Sequence, residues 1–151
     1  MAKDRAQASP ADLREAAVRL LARREHSAQE LARKLKRKGW PEKLVGPGIG
    51  ELAEAGLQSD ERFAESFARS RAEKAYGPVR IKAELAERGV DRSLSSRAVG
   101  ALDVDWLAQA AKWYGRRYGE QPASDLKEKS RRRQALARRG FDESVIRELI
   151  D

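Results

Sequence analysis

The side chains best placed to do chemistry in this chain are cations, and the chemistry they offer is recognition of anions. Between Ser27 and Gly39 stand Arg33, Lys34, Lys36, Arg37 and Lys38, with Glu30 as the only acid. On a helix turning about 100° per residue, Leu31 and Leu35 share a face, Arg33, Lys36 and Arg37 point the other way, and Lys34 and Lys38 flank them. Long basic side chains on one outward face can reach phosphates or a carboxylate rim; a solvated face is the plain alternative. A denser run holds Lys127, Lys129, Arg131, Arg132, Arg133, Arg138 and Arg139, with Glu128 the one acid among them. Its charges lie all around a helix, so some must snorkel or meet a partner. The middle of the chain is mixed. Arg80, Lys82 and Arg88 are balanced by Glu84 and Glu87, and Arg69, Arg71 and Lys74 form a basic edge just before them. Alternating signs suit a protein partner better than bare DNA. Tyr76 sits in a turn among these cations, where an exposed contact and a core position are equally open readings.

Nothing comparable points to catalysis. The one histidine, His26, lies beside Ser27 in a turn and reads as a polar surface residue. Gly46-Pro47-Gly48-Ile49-Gly50 lacks the Gly-Lys-Ser/Thr ending of a phosphate loop. Glu51 with Glu54, and Glu61 with Glu65, are carboxylates at helical spacing without histidines beside them, and read as solvated helix residues. The expectation is a non-enzymatic protein with no cofactor and no metal.

Composition frames the same reading. The chain has 151 residues and a formal net charge of +8, with 37% charged and only 6% aromatic residues. Such a balance favours a polyanion or an acidic partner surface. The absence of cysteine excludes disulfides and thiolate metal sites and suits a reducing cytoplasm. No apolar run approaches the roughly 18 residues of a membrane span, so no membrane partner is expected. Met1 to Ser9 has no signal-peptide core and reads as a short disordered tail.

The elements that must carry these cations repeat. A pattern that runs from Ser27 to Gly39 followed by Trp40 recurs in copies that end Leu85 to Gly89 followed by Val90 and Leu136 to Gly140 followed by Phe141, with the glycines about 50 residues apart. The match continues at Leu44, Leu94 and Val145, then at Ile49, Val99 and Ile150. Each copy is therefore a helix, a glycine stop and a second helix. Ser9-Pro10-Ala11-Asp12 and Ser27-Ala28-Gln29-Glu30 are capping boxes that open helices. Ser59-Asp60-Glu61 opens another, Pro78 starts the next after the Tyr76-Gly77 turn, and Asp91 and Asp142 cap two more. Phe63, Phe67, Trp106 and Trp113 lie on apolar stripes, while Trp40 and Phe141 staple the helices after their glycine stops. The segment Gly46 to Gly50 predicts a third helix that is broken or begins late. Arg132 stands where the first two copies have Leu31 and Ile81, so the third apolar face is thin; Leu35, Leu85 and Leu136 are the equivalent anchors. No segment alternates with a period of two. The fold class expected is all-α, an elongated array of three tandem three-helix repeats with about nine helices. The boundaries fall at 1–9 for the tail and at 10–57, 58–103 and 104–151 for the repeats, and the array is expected to be a monomer.

At this level of detail the chain resembles a known family. Gly56 to Arg71, with Ser59-Asp60-Glu61-Arg62-Phe63-Ala64 at its centre, is similar to the first helix of the core repeat in RecX proteins. Tyr76-Gly77-Pro78, Arg80-Ile81, Glu84-Leu85 and Arg88-Gly89-Val90 continue the likeness, as do Ser27 to Gly39 and Arg138-Arg139-Gly140-Phe141. The resemblance runs from Asp12 to Ile150. It implies a bacterial negative regulator of the RecA recombinase that lies in the groove of the RecA–DNA filament and blocks extension, strand exchange and ATP turnover. Its partners would be that filament and single- or double-stranded DNA, bound weakly and in a salt-dependent way. Any effect on ATP hydrolysis would be exerted on the partner's activity. The alternative reading is a sequence-independent DNA- or RNA-binding helical protein.

Overall fold

The computed structural model describes residues 7–150, and within them the chain is helical with no strand. The sequence expectation of a disordered tail falls mostly on residues 1–6, outside the described residues; Ser9 caps the first helix. The first unit is α1 (Pro10–Arg23), α2 (Ala28–Arg37) and α3 (Glu42–Glu54). The second is α4 (Asp60–Glu73), α5 (Pro78–Glu87) and α6 (Arg92–Gly100), and the third is α7 (Trp106–Tyr118), α8 (Leu126–Arg139) and α9 (Glu143–Leu149). Both capping boxes form: Ser9 and Asp12 close the start of α1, and Ser27 and Glu30 close that of α2.

The repeated glycine pattern has one structural cause. At the end of α2, α5 and α8 the glycine takes a positive φ, 95° at Gly39, 79° at Gly89 and 105° at Gly140. The next residue then turns back and its N–H reaches the carbonyl of the last apolar anchor: Trp40 to Leu35, Val90 to Leu85, and Phe141 to Leu136, at 3.0–3.2 Å. This is a Schellman ending, in which a hydrophobic contact accompanies the 6→1 hydrogen bond. It explains why an apolar residue follows each glycine, and why Trp40, Val90 and Phe141 are all buried.

Each unit closes around its own core. Leu13, Leu31, Leu35, Val45 and Leu52 anchor the first, and Phe63, Ile81, Leu85 and Val99 the second. The third has the smallest core, with Ala110, Leu136, Phe141, Ile146 and Ile150. Leu35, Leu85 and Leu136 are each fully buried, as equivalent anchors should be. Trp106 packs against both the second and the third core and so joins them. In every unit the first and third helices pack on one another, and the most extensive helix contacts lie within a unit.

The structure corrects two expectations here. α3 is continuous through Pro47 rather than broken. The proline gives up one intrahelical hydrogen bond, but Val45, Ile49 and Leu52 on either side of it are buried. Gly48 has a positive role as well, since a Cβ there would collide with Leu13 Cδ2. The glycine that weakens the helix also lets α3 approach α1. His26 is buried rather than on the surface, only 1% exposed. Its Nδ1 lies 3.0 Å from the Arg24 carbonyl and its Nε2 3.0 Å from Lys34 Nζ. A lysine donating to Nε2 leaves Nδ1–H to donate to the carbonyl, so the ring is neutral here.

That arrangement sets a pH dependence. Burial, then the neighbouring Arg24 and Lys34, hold the His26 pKa below its usual value, against the Arg24 carbonyl and the Glu30 charge. The unfolded chain therefore takes up a proton first as pH falls below about 6.5. Stability is expected to be full above that pH and to decline as pH drops towards the lowered folded value. Urea melts at pH 7.5 and 5.5 check this; His26→Gln should flatten the difference, and an unchanged slope in that variant would refute it.

Candidate functional site

The cations singled out in the sequence separate into two classes once their partners are known. One class holds the units together. At the junction of the second and third units, the Gly77 and Val79 N–H groups donate to the Arg139 and Gly140 carbonyls, each at 2.9 Å. Pro78 between them has no N–H to satisfy. The start of α5 thus sits on the end of α8, positive helix end against negative helix end. Two arginines lock this junction from opposite sides. Arg80 donates to the Arg138 carbonyl at 3.2 Å. Arg139 donates through Nε to the Ala75 carbonyl at 3.0 Å and through Nη2 to the Lys74 carbonyl. Each guanidinium caps the C-terminus of a helix in the neighbouring unit.

Tyr76 lies at the centre of this lock, half-buried, with the guanidinium carbons of Arg71, Arg139 and Arg80 at 3.9, 3.9 and 4.6 Å from its ring centroid. Ala75 before it is the only described non-glycine residue with positive φ, 65°. An alanine in that region is strained by roughly 1–2 kcal/mol, so the turn is held in place by what it contacts. Glu84 ties the cluster together, accepting from Arg71 Nε and Nη2 at 2.8 and 2.6 Å and from Arg80 Nε at 3.0 Å. Burial alone would raise the Glu84 pKa, but the two guanidinium partners outweigh it and the carboxylate is held below its usual value.

The first and second units join by the same device. Ser27, the α2 cap, donates its hydroxyl to the Arg88 carbonyl at the end of α5, at 2.7 Å. Ala28 N–H donates to Asp60 Oδ1 at 2.8 Å, and Gln58 Nε2 bonds both Asp60 Oδ1 and the His26 carbonyl. Arg88 lies over the Phe67 ring at 4.6 Å and pairs with Glu30, which also receives both terminal nitrogens of Arg24. The second helices of the units therefore follow end to end, α8 to α5 to α2, against the direction of the chain.

Arg132 requires a correction. The basic run suggests an outward-facing cation, and the repeat position suggests a thinned third core. Arg132 is instead built into that core, 6% exposed. It donates to Tyr114 Oη and to the Gln121 carbonyl at 2.9 Å each, pairs with Glu128 at 3.1 Å, and lies over the Tyr118 ring at 4.5 Å. The guanidinium replaces the aliphatic side chain of the other units by organising a polar and aromatic shell. Arg133 is also engaged, donating to the Ile150 carbonyl at 2.7 Å, and Arg131 pairs with Glu128 and Lys36 with Glu42. Lys34 is taken up by His26.

The second class of cations projects from all three units, with no ion pair or side-chain hydrogen bond among the described residues. Arg33, Arg37 and Lys38 are exposed on and just after α2, Arg69 and Lys74 on and just after α4, Lys82 on α5 and Arg138 on α8. In chemical terms they can neutralise phosphates or carboxylates, because none of them is within ion-pair distance of an acid among the described residues. An open cleft of about 300 Å³ between α2 and α5 is lined by Arg33, Lys34, Arg37 and Arg88 together with the acids Glu30 and Glu87. Sequence reasoning found every one of these cations but could not separate the two classes. It also missed Gln58 and the junction roles of Gly77 and Asp60, which arise from contacts between units, and the role of Glu84 in tying Arg71 to Arg80 within the second unit. Among the described residues no His, Asp and Glu group could hold a metal ion, and no helix is long and apolar enough to cross a membrane.

Known proteins share the three-unit architecture. Family models for the first, second and third three-helix domains of RecX match residues 14–46, 59–99 and 103–150. A protein of Halorhodospira halophila named Regulatory protein RecX is 47% identical over 135 residues, covering 89% of this chain and 84% of the relative. One of the same name from Pseudomonas entomophila is 39% identical over 142 residues, covering 94% and 92%. The crystal structure of RecX from Lactobacillus salivarius has the same fold, with a TM-score of 0.75 at 22% identity over 92% of each chain. A second crystal structure, of a regulatory protein RecX, gives a TM-score of 0.79 at 25% identity, covering 93% of this chain and 72% of that one. With three tandem three-helix units matched in order and relatives matched along most of their length, the chain belongs to the RecX family.

Proposed function

We propose that this protein is a negative regulator of the RecA recombinase that lies along the groove of the RecA–DNA filament and inhibits its extension, ATP turnover and strand exchange. The observation that carries the reading is the set of partner-free cations spread over three units whose second helices are joined end to end. A filament offers phosphates and acidic protein surface at repeated intervals, and a jointed array of cationic units can meet several intervals at once. The name Regulatory protein RecX, carried by the relatives, supports the regulatory role. The protein acts as a monomer in the bacterial cytoplasm, needs no cofactor and has no catalytic activity of its own. Its contact with DNA is weak and salt-dependent, because the contacting groups are exposed and the interaction is largely counterion release.

The same free cations favour a second reading, that of a sequence-independent DNA- or RNA-binding protein. Titrating the protein into RecA at fixed DNA while following ATP hydrolysis separates the two. A filament regulator slows hydrolysis at amounts well below one protein per RecA. A competitor for DNA slows it only when enough protein is present to cover the DNA, and that outcome would replace the first reading with the second.

A further inference from the structure

The face of α5 that turns away from Tyr76 has a different character. Arg80, Glu84 and Arg88 recur every four residues on one side of the helix, whereas Val79, Lys82, Ala83 and Ala86 lie on the other. This second side forms one wall of a groove of about 510 Å³, closed by Val90, Arg92 and Ser95 of the following turn and helix. Val79 is 54% exposed, an open apolar group among small side chains. Lys82 and Arg92 border the groove with no acid among the described residues paired to either. The one acid lining it, Asp142, is already engaged as the cap of α9 through Val145 N–H and Ser144 Oγ.

We propose that the groove between α5 and α6 is a docking site for an acidic peptide segment with an aliphatic anchor residue. The anchor seats against Val79, Ala83 and Ala86, and flanking carboxylates pair with Lys82 and Arg92. The charge left unpaired at the rim selects an acidic segment over a basic one. An apolar floor with two cations and no aromatic ring to stack on does not suit a nucleic acid strand. Lys82 is shared with the free cations proposed to meet the filament, whereas Arg92 and Ala83 belong to the groove alone, so variants at those two test it apart from filament binding.

The test is selection of a displayed random peptide library on the full chain, followed by fluorescence anisotropy of the selected peptides. The expected consensus is an aliphatic residue flanked by Asp and Glu. Ala83→Asp places a carboxylate on the exposed floor of the groove, so it should keep the fold while weakening the selected peptides roughly tenfold. Arg92→Glu, in the first turn of α6 where an acid suits the helix end, should weaken them about tenfold or more. A basic consensus, no consensus, or selected peptides that bind both variants as tightly as the parent would overturn the proposal. So would sedimentation equilibrium showing a dimer that Val79→Asp dissolves, since the groove would then belong to a second copy of the chain.

Discussion

Replacing Gly77 with alanine is expected to uncouple the third unit from the first two. The backbone of Gly77 has φ −86° and ψ 168°, which alanine adopts without strain. The penalty therefore comes from contact alone. A Cβ at this position would overlap the carbonyl group of Gly140 and lie 2.6 Å from Phe141 N. These are backbone atoms and cannot swing aside as a flexible side chain would. Relief requires the end of α8 to move off the start of α5. The two backbone bonds there are then lost, together with the Arg80 and Arg139 caps that depend on the same approach. Overpacking costs about 1–3 kcal/mol and each lost hydrogen bond about 0.5–1.5 kcal/mol. The junction should weaken by several kcal/mol on the order of those sums, while each unit keeps its own core. In an array whose stability is the sum of unit and interface terms, that change splits one unfolding transition into two. Amide exchange should report the loss first at α7 to α9, and inhibition of the filament should fall along with it. Gly115 is the control: it lies within α7, and a Cβ added there would meet nothing within 4 Å. Gly115→Ala should therefore gain up to about 1 kcal/mol. Gly77→Ala melting in one step at the parent temperature would show that the helix ends are not joined as described.

The same junctions show why part of the molecule is legible in the sequence and part is not. Capping boxes, glycine stops and apolar anchors are local. Ser27 caps Glu30, and Gly39 lets Trp40 return to Leu35, all within one turn or two. The helices and the three units follow from such short-range rules. The failures lie where a distant residue decides. Gly48 reads as a helix breaker until Leu13 is seen against it. His26 reads as a turn residue until the Lys34 ammonium and Gln58 close over it. Arg132 reads as one more cation in a basic run, although its position in the repeat, equivalent to Leu31 and Ile81, is the signal that it faces inward. A buried arginine needs polar partners, and here Tyr114 and the Gln121 carbonyl receive it.

Neutralising Arg33, Arg37 and Lys38 together, each to glutamine, is expected to produce the largest loss of nucleic-acid and filament affinity available at the surface. All three are exposed, none has an internal partner among the described residues, and Arg33 and Arg37 line the cleft between α2 and α5. Glutamine keeps helix propensity and adds no negative charge at the C-terminal end of α2, where acids are unfavourable. The fold should therefore be preserved and the readout should be binding alone. Each phosphate contact removed lowers the salt slope by about 0.7–0.9, so the triple variant should lower it by about 2–3 if all three make such contacts. Inhibition of RecA should then require far more protein at moderate salt and converge on the parent at high salt. Arg132→Met is the matched comparison. It also removes a positive charge, but one already spent on Glu128, Tyr114 and the Gln121 carbonyl. It should lower stability and leave the salt slope of the folded protein unchanged. Arg80→Gln belongs to a third category, since it opens the lock around Tyr76 and should reduce inhibition more than bare-DNA affinity. If Arg33, Arg37 and Lys38 can be neutralised without changing the slope, the free cations are solvated and the filament is met elsewhere. If Arg132→Met lowers the slope as much as the triple variant, internal pairing does not decide which cations bind, and the separation into two classes fails.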